Sequence, residues 1–148
     1  MKKQKSLGNK GFSLVELIIV IAIMAILVGV LAPQLIKYVE RSRQAKDRQM
    51  VDALHTAVTT ALLDPDITDG PGATSSSDMA DFIGTGSKFK DAISDILKTS
   101  TPGDIGGNSF ESNAFHGQGI TVTIDPKMNV KCAVTHVSGS DATDIVIE

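Results

Sequence analysis

The chain has 148 residues; set aside one membrane span and roughly a hundred remain, which suits one modest domain and excludes two. Its formal charge is −3, but four of its 14 cations are Lys2, Lys3, Lys5 and Lys10. Beyond residue 11, ten cations therefore face 17 acids, a balance of −7 that disfavours direct binding of nucleic acid. A single cysteine excludes an intramolecular disulfide, and one Tyr with no Trp excludes an aromatic stacking platform.

The lysine-rich start places the N-terminus on the cytoplasmic side by the positive-inside bias, and the C-terminal part outside the membrane. From Leu17 to Ile36 no residue carries a formal charge, and at 1.5 Å per residue this run makes a helix of about 30 Å, the thickness of a bilayer core. Glu16 stands at its mouth. A carboxylate there costs about 2–3 kcal/mol toward the bilayer centre, less if it stays among the headgroups, so it calls for a partner or a function.

A basic start before an apolar run is also the pattern of a secretory signal, which needs a small-residue cleavage site after the run. The best pair, Val30 and Ala32, is followed by Pro33, which blocks that cut. The processing site that remains lies before the run, between Gly11 and Phe12.

Gly11-Phe12-Ser13-Leu14-Val15-Glu16-Leu17 resembles the processing and methylation motif of type IV prepilins and pseudopilins. The short basic leader, Gly before and Phe after the scissile bond, the spacing to Glu16, the unbroken span and Pro33 within it carry the resemblance, which covers roughly the first third of the chain. It implies that a prepilin peptidase removes residues 1–11 and methylates the new amine of Phe12. It further implies that an inner-membrane assembly platform with its ATPase draws the chain from membrane lipid into a helical homo-oligomer at the cell surface. Residues 12–36 would form the membrane span and then the filament core, and residues 37–148 the head outside the membrane. The freed Phe12 amine is a cation at the membrane edge, and Glu16 of one copy can match it on a neighbour.

From Phe12 to Leu63 only Gly29 and Pro33 interrupt helical character, and Asp64-Pro65-Asp66 ends it. The pattern predicts one helix of 52 residues, about 78 Å long. Pro33 lacks an amide hydrogen and clashes with the carbonyl of Gly29, so a kink is expected there. The resemblance implies that this turn can lose helicity in a filament. The polar segment Glu40 to Gln49 reads as a solvated neck, or as cations that, with Lys37, touch phosphates or acidic faces of neighbouring copies. Beyond it, Met50, Ala53, Leu54, Ala57, Val58, Ala61 and Leu62 recur at helical spacing and are expected to carry the head.

Asp64 to Asp78 reads as loop. Ser87 to Thr99 reads as a second helix with Ser87 as N-cap and Phe89, Ala92, Ile93, Ile96 and Leu97 on its core face. Thr101 to Gly119 reads as loop again, anchored by Phe110 and Phe115. The period then changes to two, and Ile120–Ile124, Val130–His136 and Ile145–Ile147 read as strands joined by the turn Asp125–Asn129 and by one at Gly139. Three strands over the second half of the helix make an α+β, pilin-like head whose strand order the sequence leaves open.

No catalytic constellation and no cofactor motif emerges, so an enzyme is not expected. Asp64, Asp66, Asp69 and Gly70 have the wrong spacing for a calcium loop and lack its closing glutamate. Asp141 and Asp144 are a second weak pair, considered because some major pseudopilins bind calcium in their heads. Cys132 and His136 are two ligands at most, too few for structural zinc, and His55 and His116 have no visible partner. The expectation is therefore no metal. The absent cysteine pair departs from the disulfide-closed loop common in Gram-negative type IV pilins. Within the family the role stays open between a pilus subunit and a pseudopilin of type II secretion or competence DNA uptake. The rival from another class is a membrane-tethered binding module.

Overall fold

The computed structural model describes residues 11–72, 74–76, 78–139 and 142–148. They fall into two units that meet after Tyr38. One element enters both, helix α1 (Leu14–Leu63).

In the first unit α1 buries nothing. Leu17, Ile21, Leu27 and Leu31 are each more than half exposed, and an 18-residue window is apolar enough to cross a membrane while none of it is covered by protein. A helix apolar all round is stable where lipid or other helices surround it. The helix starts at Leu14, two residues later than expected, because Ser13 is spent on closing its first turn. It then runs unbroken through Gly29 and Pro33.

The second unit is an α+β head. Its end of α1 lays Val51, Leu54, Ala57, Val58 and Ala61 into a core that Phe82, Phe89, Ile93, Phe110 and Phe115 share with the inner face of a sheet. Val51 enters this core, whereas Ala53, an expected core position, is exposed. On a helix Val51, Leu54 and Val58 stand at i, i+3 and i+7, and Ala53 points away from that stripe.

The sheet has four antiparallel strands in the order of the chain, β1 (Thr74–Ser76), β2 (Thr121–Ile124), β3 (Val130–Val134) and β4 (Ile145–Ile147). The last three are the expected strands, trimmed: β2 starts one residue late and β3 stops before Thr135 and His136. Strand β1 lies inside a segment expected to be loop. Its Thr-Ser-Ser sequence has no apolar face to give a period; pairing with β2 and a 3.2 Å hydroxyl contact between Ser75 and Thr123 place it at the sheet edge. Register puts Val122 opposite Cys132 and Ile124 opposite Val130, so alternate residues of β2 and β3 face the core together. His55 on α1 ties helix to sheet through a 3.1 Å contact between Nε2 and the carbonyl of Val130.

Helix α2 (Lys88–Leu97) carries the predicted cap: Ser87 Oγ accepts from the amide of Lys90. A second cap comes from a distance, because Asp69 accepts from the amides of Lys88 and Phe89 at 2.8 and 3.1 Å. Phe89 and Ile93 are buried and Ala92 and Leu97 half-buried, but Ile96, expected in the core, is 44% exposed at the edge of the face. Phe110 and Phe115 are both buried, their rings 6.1 Å apart and tilted, and hold the long loop before β2 as expected. In that loop Gly106 adopts φ +75°, and a Cβ there would meet Ile120 at 3.0 Å, so only glycine fits.

Candidate assembly site

The N-terminal turn of α1 is built as a capping box. Ser13 Oγ accepts from the amide of Val15 at 3.3 Å, and Glu16 reaches back to accept from the amide of Ser13 at 2.9 Å. Four amides at a helix start lack partners and carry partial positive charge, so a carboxylate in the first turn is favoured. Glu16 is therefore held at the very end of the helix, beside Gly11 and Phe12, which precede it in open backbone; Phe12 is 93% exposed. The spacing S-x-x-E was the readable signal for this contact. Ser13 is a functional residue that the charge of Glu16 alone does not reveal, because its part is played through hydrogen bonds.

From Leu17 to Pro33 the helix offers only apolar side chains. Gly29 has no heavy atom within 4 Å of where a Cβ would stand, and Pro33 supplies no amide to the turn it closes. The stretch is thus a smooth apolar rod with one weakened turn and one carboxylate at its tip.

Comparisons with known proteins bear on the same segment and on the whole chain. Residues 7–32 match the family model for the prokaryotic N-terminal methylation motif. The chain is 30% identical to the type IV major fimbrial protein FimA of Dichelobacter nodosus over 140 residues, covering 84% of this chain and 87% of that protein. It is 32% identical to the prepilin peptidase-dependent protein A of Clostridium perfringens over 124 residues, covering 77% and 84%. The chain belongs to the type IV pilin family. A third relative, the type IV major pilin protein PilA of Myxococcus xanthus, is 45% identical over 49 residues, 33% of this chain and 22% of that one. No solved structure matches.

In this pilin the neck is not merely solvated, which corrects the reading of Glu40 to Gln49 as outside the core. Asp47 is 1% exposed and accepts from the amides of Glu111 and Ser112 at 2.9 and 3.0 Å. Glu40 accepts from the amide of Asn113 at 2.8 Å, and Lys46 pairs with Glu111. Two carboxylates on one helix face thus hold three consecutive loop amides, a contact between residues more than sixty positions apart that helical periodicity cannot reveal.

The other singled-out residues have local partners. Asp64 accepts from the amide of Asp66 at 2.9 Å, and Asp69 caps α2, so these carboxylates serve turns and helix ends. Cys132 and His136 do not converge. Burial pushes the Cys132 thiol up to about 12, whereas His136 gives its amide and Nδ1 to Asp144 Oδ1 at 2.9 and 2.7 Å. Those two hydrogen bonds, the backbone one first, hold the Asp144 carboxyl below its usual range. Asp141 lies outside the described residues. Among the described residues no three His, Cys, Asp or Glu side chains group as a metal would need.

Proposed function

We propose that this pilin is a structural subunit of a type IV pilus or pilus-like filament, cut between Gly11 and Phe12, methylated on Phe12 and polymerised through residues 12–36. The observation that carries the reading is the uncovered apolar helix with Glu16 anchored at its tip. It is costly in water, comfortable in lipid, and equally comfortable against copies of itself. Before assembly the chain spans the membrane with residues 1–11 as a cytoplasmic leader and residues 37–148 outside. Extraction by an assembly platform and its ATPase then exchanges lipid for helix–helix contact.

Cleavage gives Phe12 a free amine, and Glu16 is the carboxylate within reach of such an amine on an adjacent copy. Pairing them removes two costly charges together and sets the register between copies. Gly29 and Pro33 are the turn at which the packed helix yields first. The near full-length likeness to a major fimbrial protein favours a pilus subunit over a secretion or competence pseudopilin.

Intact mass and N-terminal sequencing of the membrane-extracted chain, produced with and without a prepilin peptidase, test the processing. A methylated Phe12 start that requires the peptidase is expected; an uncut chain, or cleavage near Ala32, refutes it. For Glu16→Gln we expect normal cleavage with filament yield lowered about tenfold or more, and normal yield would remove the charge-matching role.

A further inference from the structure

The neck of α1 carries a second recognition feature, beside the Asp47 clamp. Arg41, Gln44 and Arg48 share one helix face at i, i+3 and i+7 and line an open cleft with Phe115 and Thr143. Arg48 donates to Thr143 Oγ1 at 3.1 Å, which holds its guanidinium at the cleft, and among the described residues neither arginine has a carboxylate partner. The cleft therefore presents two cations beside Phe115 and Thr143.

Charge along the chain is sharply divided. Residues 37–48 hold five cations and two acids, whereas residues 49–87 hold six acids and no Lys or Arg. The division culminates where α1 ends. The last turn of the helix has no basic residue to offset its negative end, and the exposed Asp64 and Asp66 follow directly. Lys88 Nζ reaches the Asp66 carbonyl at 3.5 Å, but among the described residues neither the Asp64 nor the Asp66 carboxylate has an ion-pair partner.

Resting on the filament reading, we propose that the Arg41–Arg48 cleft of one copy receives the Asp64–Asp66 turn of another. Gln44 and Asp64 are twenty positions apart, about 30 Å along the helix, so parallel copies staggered by that amount bring the two surfaces together. Each copy offers one cation cleft and one acidic turn, which makes the contact heterologous. Such contacts do not close on themselves and extend into filaments, which a self-complementary patch would not do. Carboxylate against paired arginines is also the geometry in which charge-assisted hydrogen bonds are strongest.

Two cysteines test this in whole filaments. Within one chain, positions 44 and 66 are far beyond the 7 Å Cα separation a disulfide tolerates, so any bond between Q44C and D66C joins two copies. Cys132 is buried and does not compete. Oxidised Q44C/D66C filaments are expected to give a ladder of linked multimers, and each single variant no more than a dimer band. Reversing either side alone, R41D/R48D or D64K/D66K, is expected to lower filament yield about tenfold or more, because like charges then meet. Combining all four is expected to return it to within about twofold of the parent.

Filaments visible by electron microscopy in which Q44C/D66C gives no ladder would overturn the contact and leave the filament reading intact. So would charge reversals that leave yield unchanged, or a photo-crosslinker at position 44 that captures only lipid phosphate headgroups. If the parent chain forms no filament with its assembly machinery, both readings fall together.

Discussion

One helix serves two regions by opposite means. Between Leu14 and Tyr38 its apolar side chains are not covered by the rest of the protein, and beyond Val39 a narrower apolar stripe, Val51, Leu54, Ala57, Val58 and Ala61, is buried. The covered half includes Asp47, a buried charge, and the uncovered half includes hardly any polarity at all. Hydrophobicity alone thus does not mark the core of this protein. What distinguishes the two is period: residues apolar all round look outward for partners, while residues apolar on one face find theirs within the chain.

The sharpest way to break this contrast is to shorten one leucine in each half. Leu54→Ala in the head is expected to cost about 2–5 kcal/mol, read as a lowered midpoint of unfolding for the detergent-solubilised chain, because it leaves a cavity among well-packed neighbours. Leu27→Ala is expected to leave that midpoint unmoved and to act only on assembly; equal loss from both would mean that the two halves are not independent.

Next in size is the neck. Asp47→Ala strands two amides of the loop before β2 and is expected to cost about 1–3 kcal/mol, whereas Asp52→Ala, on the exposed face one turn on, is expected to change stability by no more than about 0.5 kcal/mol. Hydrogen exchange at Glu111 and Ser112 would report the difference directly. Asp69→Ala removes the remote cap of α2 and is expected to cost about 0.5–2 kcal/mol, with exchange faster at Lys88 and Phe89 first.

A thiol reagent sharpens the boundary of the covered region. Cys132, buried and with its thiol pushed up to about 12, is expected to react only as fast as the head unfolds. Rapid modification under native conditions would contradict the burial of β3.

The smallest effect is at the clasp between His136 and Asp144. Because the Asp144 carboxyl is held below its ordinary 3.8, its contribution is present above that pH and fades as pH falls through the lowered value. Stability of Asp144→Asn should therefore lie below the parent near neutrality and converge with it in strong acid. Curves separated equally at every pH would show that the hydrogen bonds matter and the charge does not.

Much of this was legible in the residues themselves. The motif from Gly11 to Glu16, the apolar run to Ile36, the breaker at Asp64-Pro65, the cap at Ser87 and the alternation from Ile120 onward are all local patterns, in which each residue's neighbours in sequence are its neighbours in space. Even the capping box was written in Ser13 and Glu16.

The chain by itself therefore determined the helix, its division into an apolar and an amphipathic half, the three apolar strands and the family. Tertiary structure alone decided that Asp47 and Glu40 face inward, that Asp69 caps a helix nineteen residues away, that Thr74–Ser76 joins the sheet, and that two arginines frame a cleft with Phe115 and Thr143. Each of these rests on a polar group meeting a backbone or side chain far along the chain. Such pairs leave no period, because a buried hydrogen bond needs only one well-placed partner, and folding, not spacing, brings that partner near.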